Sequence, residues 1–135
     1  MKGVFLMNRM LMIGILCLFA LAACESGVTV DIESLPAGDA TDGASLFDKS
    51  IHGAPACSSC HQLNAETLTG PGMAGFAERA EARVEGETAA EYTLNSILHP
   101  SQFVVSGFSN LMYAGYSRKL SEQNLADLIA FLFAQ

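Results

Sequence analysis

Apolar residues in this chain form one unbroken run and several interrupted patterns, and the two kinds predict different things. Met10 to Ala20 is continuous, preceded by Lys2 and Arg9 and followed by small residues, the layout of an export signal. It is too short to cross a bilayer as a helix, which takes about 20 residues. Downstream, the strongest periodic pattern is "SEQNLADLIAFLFA", Ser121 to Ala134. Here Leu125, Leu128, Ile129, Leu132 and Phe133 recur at helical spacing and make one apolar stripe. Thr88 to His99 opens with Thr88 and Glu91 in capping-box register and stops before Pro100, so a second helix is predicted there. Thr41 to Ser50, with Thr41 as N-cap and acids in its first turn, and Met73 to Arg83, rich in alanine and paired charges, predict two more. No strand pair or internal repeat stands out.

The predicted fold class is therefore all-α, with about four short helices joined by long loops such as Ile51 to Gly72 and Pro100 to Leu120. Short helices on long loops bury little apolar surface per residue, so the centre of such a domain needs something besides side chains to fill it. Ahead of the first helix, "ESGVTVDIESLPAGDA" is acidic, small and punctuated by Pro36 and Gly38, which reads as an extended tether. The tetrapeptide "LAAC", Leu21 to Cys24, resembles the processing box of bacterial lipoproteins, in which the cysteine is lipidated. The expected organisation is a signal peptide over residues 1–23, a flexible tether over 24–40 attached through Cys24, and one domain over 41–135. The expected location is the extracytoplasmic face of the cytoplasmic membrane.

With Lys2 and Arg9 in the leader, the remaining chain sets five basic residues against all 14 Asp and Glu, a balance of −9. Nucleic-acid binding is excluded, since nothing here neutralises phosphates. A protein partner is expected to meet this surface with a basic patch and to associate more slowly as salt rises.

Of the four cysteines, Cys17 lies in the leader and Cys24 at the lipidation box, which leaves Cys57 and Cys60 for chemistry in "ACSSCHQL". A disulfide across so small a loop adds little stability. A thioredoxin-like couple belongs in a βαβ setting that this chain does not predict. Zinc needs four ligands, and His52 or His99 could add to Cys57, Cys60 and His61 numerically, but no compact second ligand pair is present. Covalent haem uses the whole motif. Both thiols add to the vinyl groups, His61 becomes the proximal iron ligand, and a flat apolar cofactor supplies the missing core.

From Gly43 onward the chain resembles the class I c-type cytochromes, small monohaem electron carriers. The resemblance rests on "GASLF" (Gly43 to Phe47), "CSSCHQL" (Cys57 to Leu63), "GPGMAG" (Gly70 to Gly75), the stretch Tyr92 to Phe108, "NLM" (Asn110 to Met112) and "LSEQNLADLIAFL" (Leu120 to Leu132). It implies one covalent haem c, and a crossing of the first and last helices at which Gly43 and Phe47 meet Leu128 and Phe131. It also implies a Pro71 carbonyl that takes a hydrogen bond from His61 Nδ1 and so orients the ring. Of the two methionines outside the leader, Met112 stands where the family places its distal ligand, whereas Met73 stands at an apolar packing position. The family's usual proline after the methionine is Tyr113 here, which leaves that loop less restricted. His99 is the rival ligand, and Arg83 is a candidate partner for a haem propionate.

The function implied is single-electron transfer between redox proteins by a membrane-tethered, non-enzymatic carrier. The alternatives are a haem enzyme or gas sensor with an open sixth position, and a subunit of a larger oxidoreductase.

Overall fold

The computed structural model describes residues 30–135, so the leader, Cys24 and the first part of the tether lie outside the described residues. Four α-helices follow in order: α1 (Ala40–Phe47), α2 (Phe76–Glu81), α3 (Ala89–Leu98) and α4 (Glu122–Leu132). Short 3-10 turns at Ile32–Ser34, Cys57–Ser59 and Tyr116–Arg118 punctuate the connections. Among the described residues there is no strand, only two isolated bridges, Ile51 with Ala54 and His61 with Thr67. No described helix is long and apolar enough to cross a membrane.

The cap chemistry explains where each helix begins. Asp39 caps α1, its carboxylate accepting from Thr41 N at 2.7 Å and Asp42 N at 3.3 Å, so the cap lies two residues before the expected Thr41 and the helix ends at Phe47, short of Ser50. These bonds hold the exposed Asp39 carboxyl below its usual range. The capping box of α3 forms as its sequence predicts, with Thr88 Oγ1 accepting from Glu91 N and Glu91 Oε2 accepting from Thr88 N. An unanticipated box, Ser121 with Asn124, starts α4. Helix α2 is shorter than the expected Met73 to Arg83. Gly75 sits in the left-handed region at φ 63°, which a continuing helix cannot include, and Met73 N and Ala74 N bond back to Gln62 O and Asn64 O instead.

The crossing of α1 and α4 is the frame of the molecule. Phe47 and Leu128 are 2% and 1% exposed, and burial of such side chains stabilises by about 1.5–3 kcal/mol each. Gly43 permits the approach: a Cβ there would run into the Asp127 carbonyl and stand 2.7 Å from Phe131 Cβ. The Phe47 and Phe131 rings meet at 5.4 Å.

The expected flexible tether is corrected over its second half. Val30, Ile32 and Leu35 pack against the buried cluster that contains Leu94, Leu98, Leu125 and Ile129. The buried Asp127 accepts the Asp39 amide at 2.8 Å and a Gln123 side-chain N–H at 2.8 Å, and Gln123 also donates to Ala37 O. Residues 30–39 are thus a strap on the domain and not free linker.

Candidate functional site

Around the CxxCH segment the backbone closes on itself. His61 N and Cys60 N both donate to Cys57 O, at 3.0 and 3.1 Å, which sets the two thiols and the imidazole on one short turn. Gly70 N donates to Cys60 O at 2.9 Å and Met73 N to Gln62 O at 2.8 Å, so the segment from Gly70 to Met73 lies along this turn. His61 Nδ1 approaches Pro71 O at 2.9 Å. A carbonyl only accepts, so Nδ1 carries the proton and Nε2 keeps its lone pair free for a metal. Burial lowers the pKa of His61, and the Pro71 hydrogen bond partly offsets that shift, so the ring is held neutral. Gly70 lies flat against it: a Cβ would stand 2.7 Å from Nδ1 and 2.9 Å from Nε2.

This turn forms part of a cavity that encloses about 1180 Å³, open mouth included. Cys57, Cys60, His61, Pro71 and Met112 all line it. So does Met73, which is 7% exposed and packs with Phe47 and Leu128, as its expected packing role requires. Helices α3 and α4 contribute Thr93, Ile97, Leu128 and Leu132. No lining residue is Asp, Glu, Lys or Arg. Both cysteines are unpaired and half-buried, and burial pushes the Cys57 thiol up.

Other candidates fall away from the cavity. Of the three histidines only His61 lines it. His52 is exposed at φ 48° with Nδ1 donating to Lys119 O, and His99 closes α3 with its backbone N–H on Asn95 O. Among the described residues no group of three or more His, Cys, Asp or Glu side chains gathers as a metal cluster, which removes the zinc arrangement there. Arg83 does not line the cavity either, so the propionate contact expected of it lacks support. Its neighbour one turn earlier has a different job: Arg79 donates to the Gly72 and Ala74 carbonyls and pins the loop that holds Pro71. Sequence reasoning missed Arg79, because an arginine in a charged helix carries no mark of the backbone it will reach.

It also missed Tyr116, which is 5% exposed, lines the cavity and donates its hydroxyl to Pro55 O at 2.8 Å. Burial, with Cys57 as the next cause, pushes its phenol well above the usual range, so it remains a donor at any working pH. The bond ties the segment after Met112 to the segment before Cys57.

The cytochrome c family model matches residues 40–134. This chain belongs to the cytochrome c family. No curated protein matches it significantly. The all-α fold, with four helices among the described residues, agrees with that membership, and the family's cofactor is covalently bound haem c. The site fits that cofactor on its own terms. Two free thiols and an imidazole with an open Nε2 share one turn at the edge of an apolar, uncharged cavity, and Gly70 leaves the ring its space. The family is one of electron carriers more than of enzymes, and this cytochrome is accordingly a haem c electron carrier.

Proposed function

We propose that Cys57 and Cys60 would hold the haem as thioethers, that His61 Nε2 and the Met112 thioether would ligate its iron, and that Pro71 orients His61. The observation that carries this is the His61–Pro71 hydrogen bond beside the two free thiols, in a cavity that Met112 also lines. When bound, haem c supplies a one-electron iron couple, with a reduction potential raised by a His/Met ligand pair. His61 is held in one tautomer and one orientation by Pro71. Arg79 keeps the Pro71 loop in place through two backbone carbonyls. The apolar wall disfavours water at the site, and a haem held by both His61 and Met112 would leave no iron position for a substrate. Lipid on Cys24 tethers the protein to the outer face of the cytoplasmic membrane, where it passes single electrons between redox partner proteins.

The test is one pair of visible spectra, oxidised and reduced, of the purified protein and a Met112→Ala variant. The variant is expected to lose the sulfur-to-iron charge-transfer band and to bind carbon monoxide quickly when reduced. An unchanged band removes Met112 from the site, and fast stoichiometric carbon monoxide binding by the unaltered protein favours the open-site haem enzyme or sensor.

A further inference from the structure

Tyr113 follows the proposed ligand Met112 and stands where the family usually has proline. A proline there fixes its own φ and keeps the preceding residue out of the helical region, so it restrains a ligand loop through the backbone. A tyrosine does neither. Among the described residues, no backbone amide from Met112 to Gly115 donates to a carbonyl; the next backbone bond is Gly115 O accepting from Arg118 N at 3.2 Å, where the Tyr116–Arg118 turn begins. Side chains hold this stretch instead. The Tyr113 ring folds back over Gly115, where a Cβ would stand 2.6 Å from Tyr113 Cε1 and closer still to the end of the ring. Gly115 has φ −98°, so what its bare backbone supplies here is space for the ring and not an unusual conformation. The same ring meets Tyr116 edge-on, with centroids 5.1 Å apart and planes at 84°.

Tyr116 is a firm brace for that ring, because it is 5% exposed and its hydroxyl is held on Pro55 O, two residues before Cys57. Aromatic pairs in this edge-on geometry attract beyond the area they bury. Met112 lines the cavity and packs against the cluster that contains Tyr116, whereas Tyr113 does not line the cavity. The Tyr113 ring therefore acts on the site only through its neighbour. On the reading of Met112 as the distal ligand, we propose that Tyr113 is a positioning residue: its ring, seated on Gly115 and braced by Tyr116, supplies by packing the restraint that a proline supplies through the backbone. Contacts then run from Met112 through Tyr113 and Tyr116 to Pro55, which fastens the methionine loop to the segment that carries the two thiols. Such a clasp keeps the Met112 thioether in place against a competing small ligand.

The experiment compares the full-length holoprotein with three variants by visible spectroscopy. Reduced Tyr113→Ala is expected to bind carbon monoxide at least about threefold faster than the unaltered protein, the scale of one lost aromatic pair. On heating, its sulfur-to-iron band fades before the helical circular dichroism is lost, with a wider gap than in the unaltered protein; a merely structural role would move both together. Tyr113→Phe keeps the ring and binds carbon monoxide within about twofold of the original rate. Gly115→Ala places a methyl group where the ring lies. The ring, 36% exposed, can turn outward to make room, so this variant keeps its melting temperature and yet binds carbon monoxide as fast as Tyr113→Ala. Tyr113→Ala or Gly115→Ala with the original rate and band overturns the inference and leaves Met112 ligation intact. Tyr113→Phe as fast as Tyr113→Ala assigns the restraint to the hydroxyl and also overturns it. Should Tyr113→Ala fail to mature, Gly115→Ala decides alone. An unaltered protein without the sulfur-to-iron band sinks the Met112 reading, and the inference with it.

Discussion

The two segments that bring the proposed iron ligands to the cavity are built on different principles. The His61 side is a closed backbone structure: amides at Cys60, His61, Gly70, Met73 and Ala74 bond to carbonyls of the same loop, and Arg79 locks two more carbonyls from α2. The Met112 side, from Ser101 to Gly115, has only short-range backbone bonds, Gln102 N to His99 O, Phe108 N to Val105 O and Leu111 N to Ser109 O. Its long-range tether is a side chain just beyond it, Tyr116 on Pro55 O. The first segment carries its geometry within itself, whereas the second depends on what it touches. One wall of the cavity is therefore held by its own backbone and the other by a single side-chain tether.

Native-state hydrogen exchange is the broadest way to break that contrast. The Gly70 and Met73 amides are expected to exchange at least about a hundredfold more slowly than those of Phe108 and Leu111, a difference of about 2.7 kcal/mol in opening free energy. Equal protection would remove the distinction. A sharper test is Gly70→Ala, because its Cβ falls on the His61 ring and the ring is pinned by Pro71. Overpacking of this kind costs about 1–3 kcal/mol, so the variant is expected to melt lower and to show an altered haem spectrum. A variant with the original melting point and spectrum would mean that the rigid wall yields.

On the adaptable side, Tyr116→Phe removes one hydrogen bond worth about 1 kcal/mol and leaves the ring packing in place. Its melting temperature falls slightly, and carbon monoxide displaces the proposed Met112 ligand faster than in the unaltered protein; unchanged displacement would show that the tether does not hold this wall. The smallest effect is acid sensitivity remote from both walls. Asp39 and Glu91 have folded-state pKa values held below their ordinary 3.8 and 4.5 by the amides they cap. A depressed carboxyl stabilises fully above its ordinary value and loses that contribution as pH falls through the lower folded one. Below pH 4.5 the melting temperature of an Asp39→Asn, Glu91→Gln double variant should therefore decline less steeply than that of the unaltered protein. Parallel decline would assign the acid loss to other groups.

Much of this was legible along the chain. Four helices, the Thr88–Glu91 box and the packing of Gly43 and Phe47 against the last helix follow from spacing, caps and family resemblance, because each depends on residues close in sequence or on one dominant apolar face. Reading erred where a backbone group met a distant partner. The strap was read as linker because its docking uses Asp127 and Gln123, far along the chain, and α2 was overextended because its helical composition hid the left-handed Gly75. Arg83 was favoured over Arg79 for the same reason: two arginines one turn apart look alike until the loop they face is known.

The order of residues by itself determined the chemistry available to this cytochrome: two thiols and a histidine in one short motif, two methionines outside the leader, and charges confined to certain stretches. Only the tertiary structure decided that the strap docks on Asp127, that Arg79 reaches the Pro71 loop, and that the uncharged stretches converge on one cavity. The reason is physical. Motifs and caps are written in neighbouring residues, whereas a cavity exists only once helices distant in sequence have packed and left a space that their side chains do not fill.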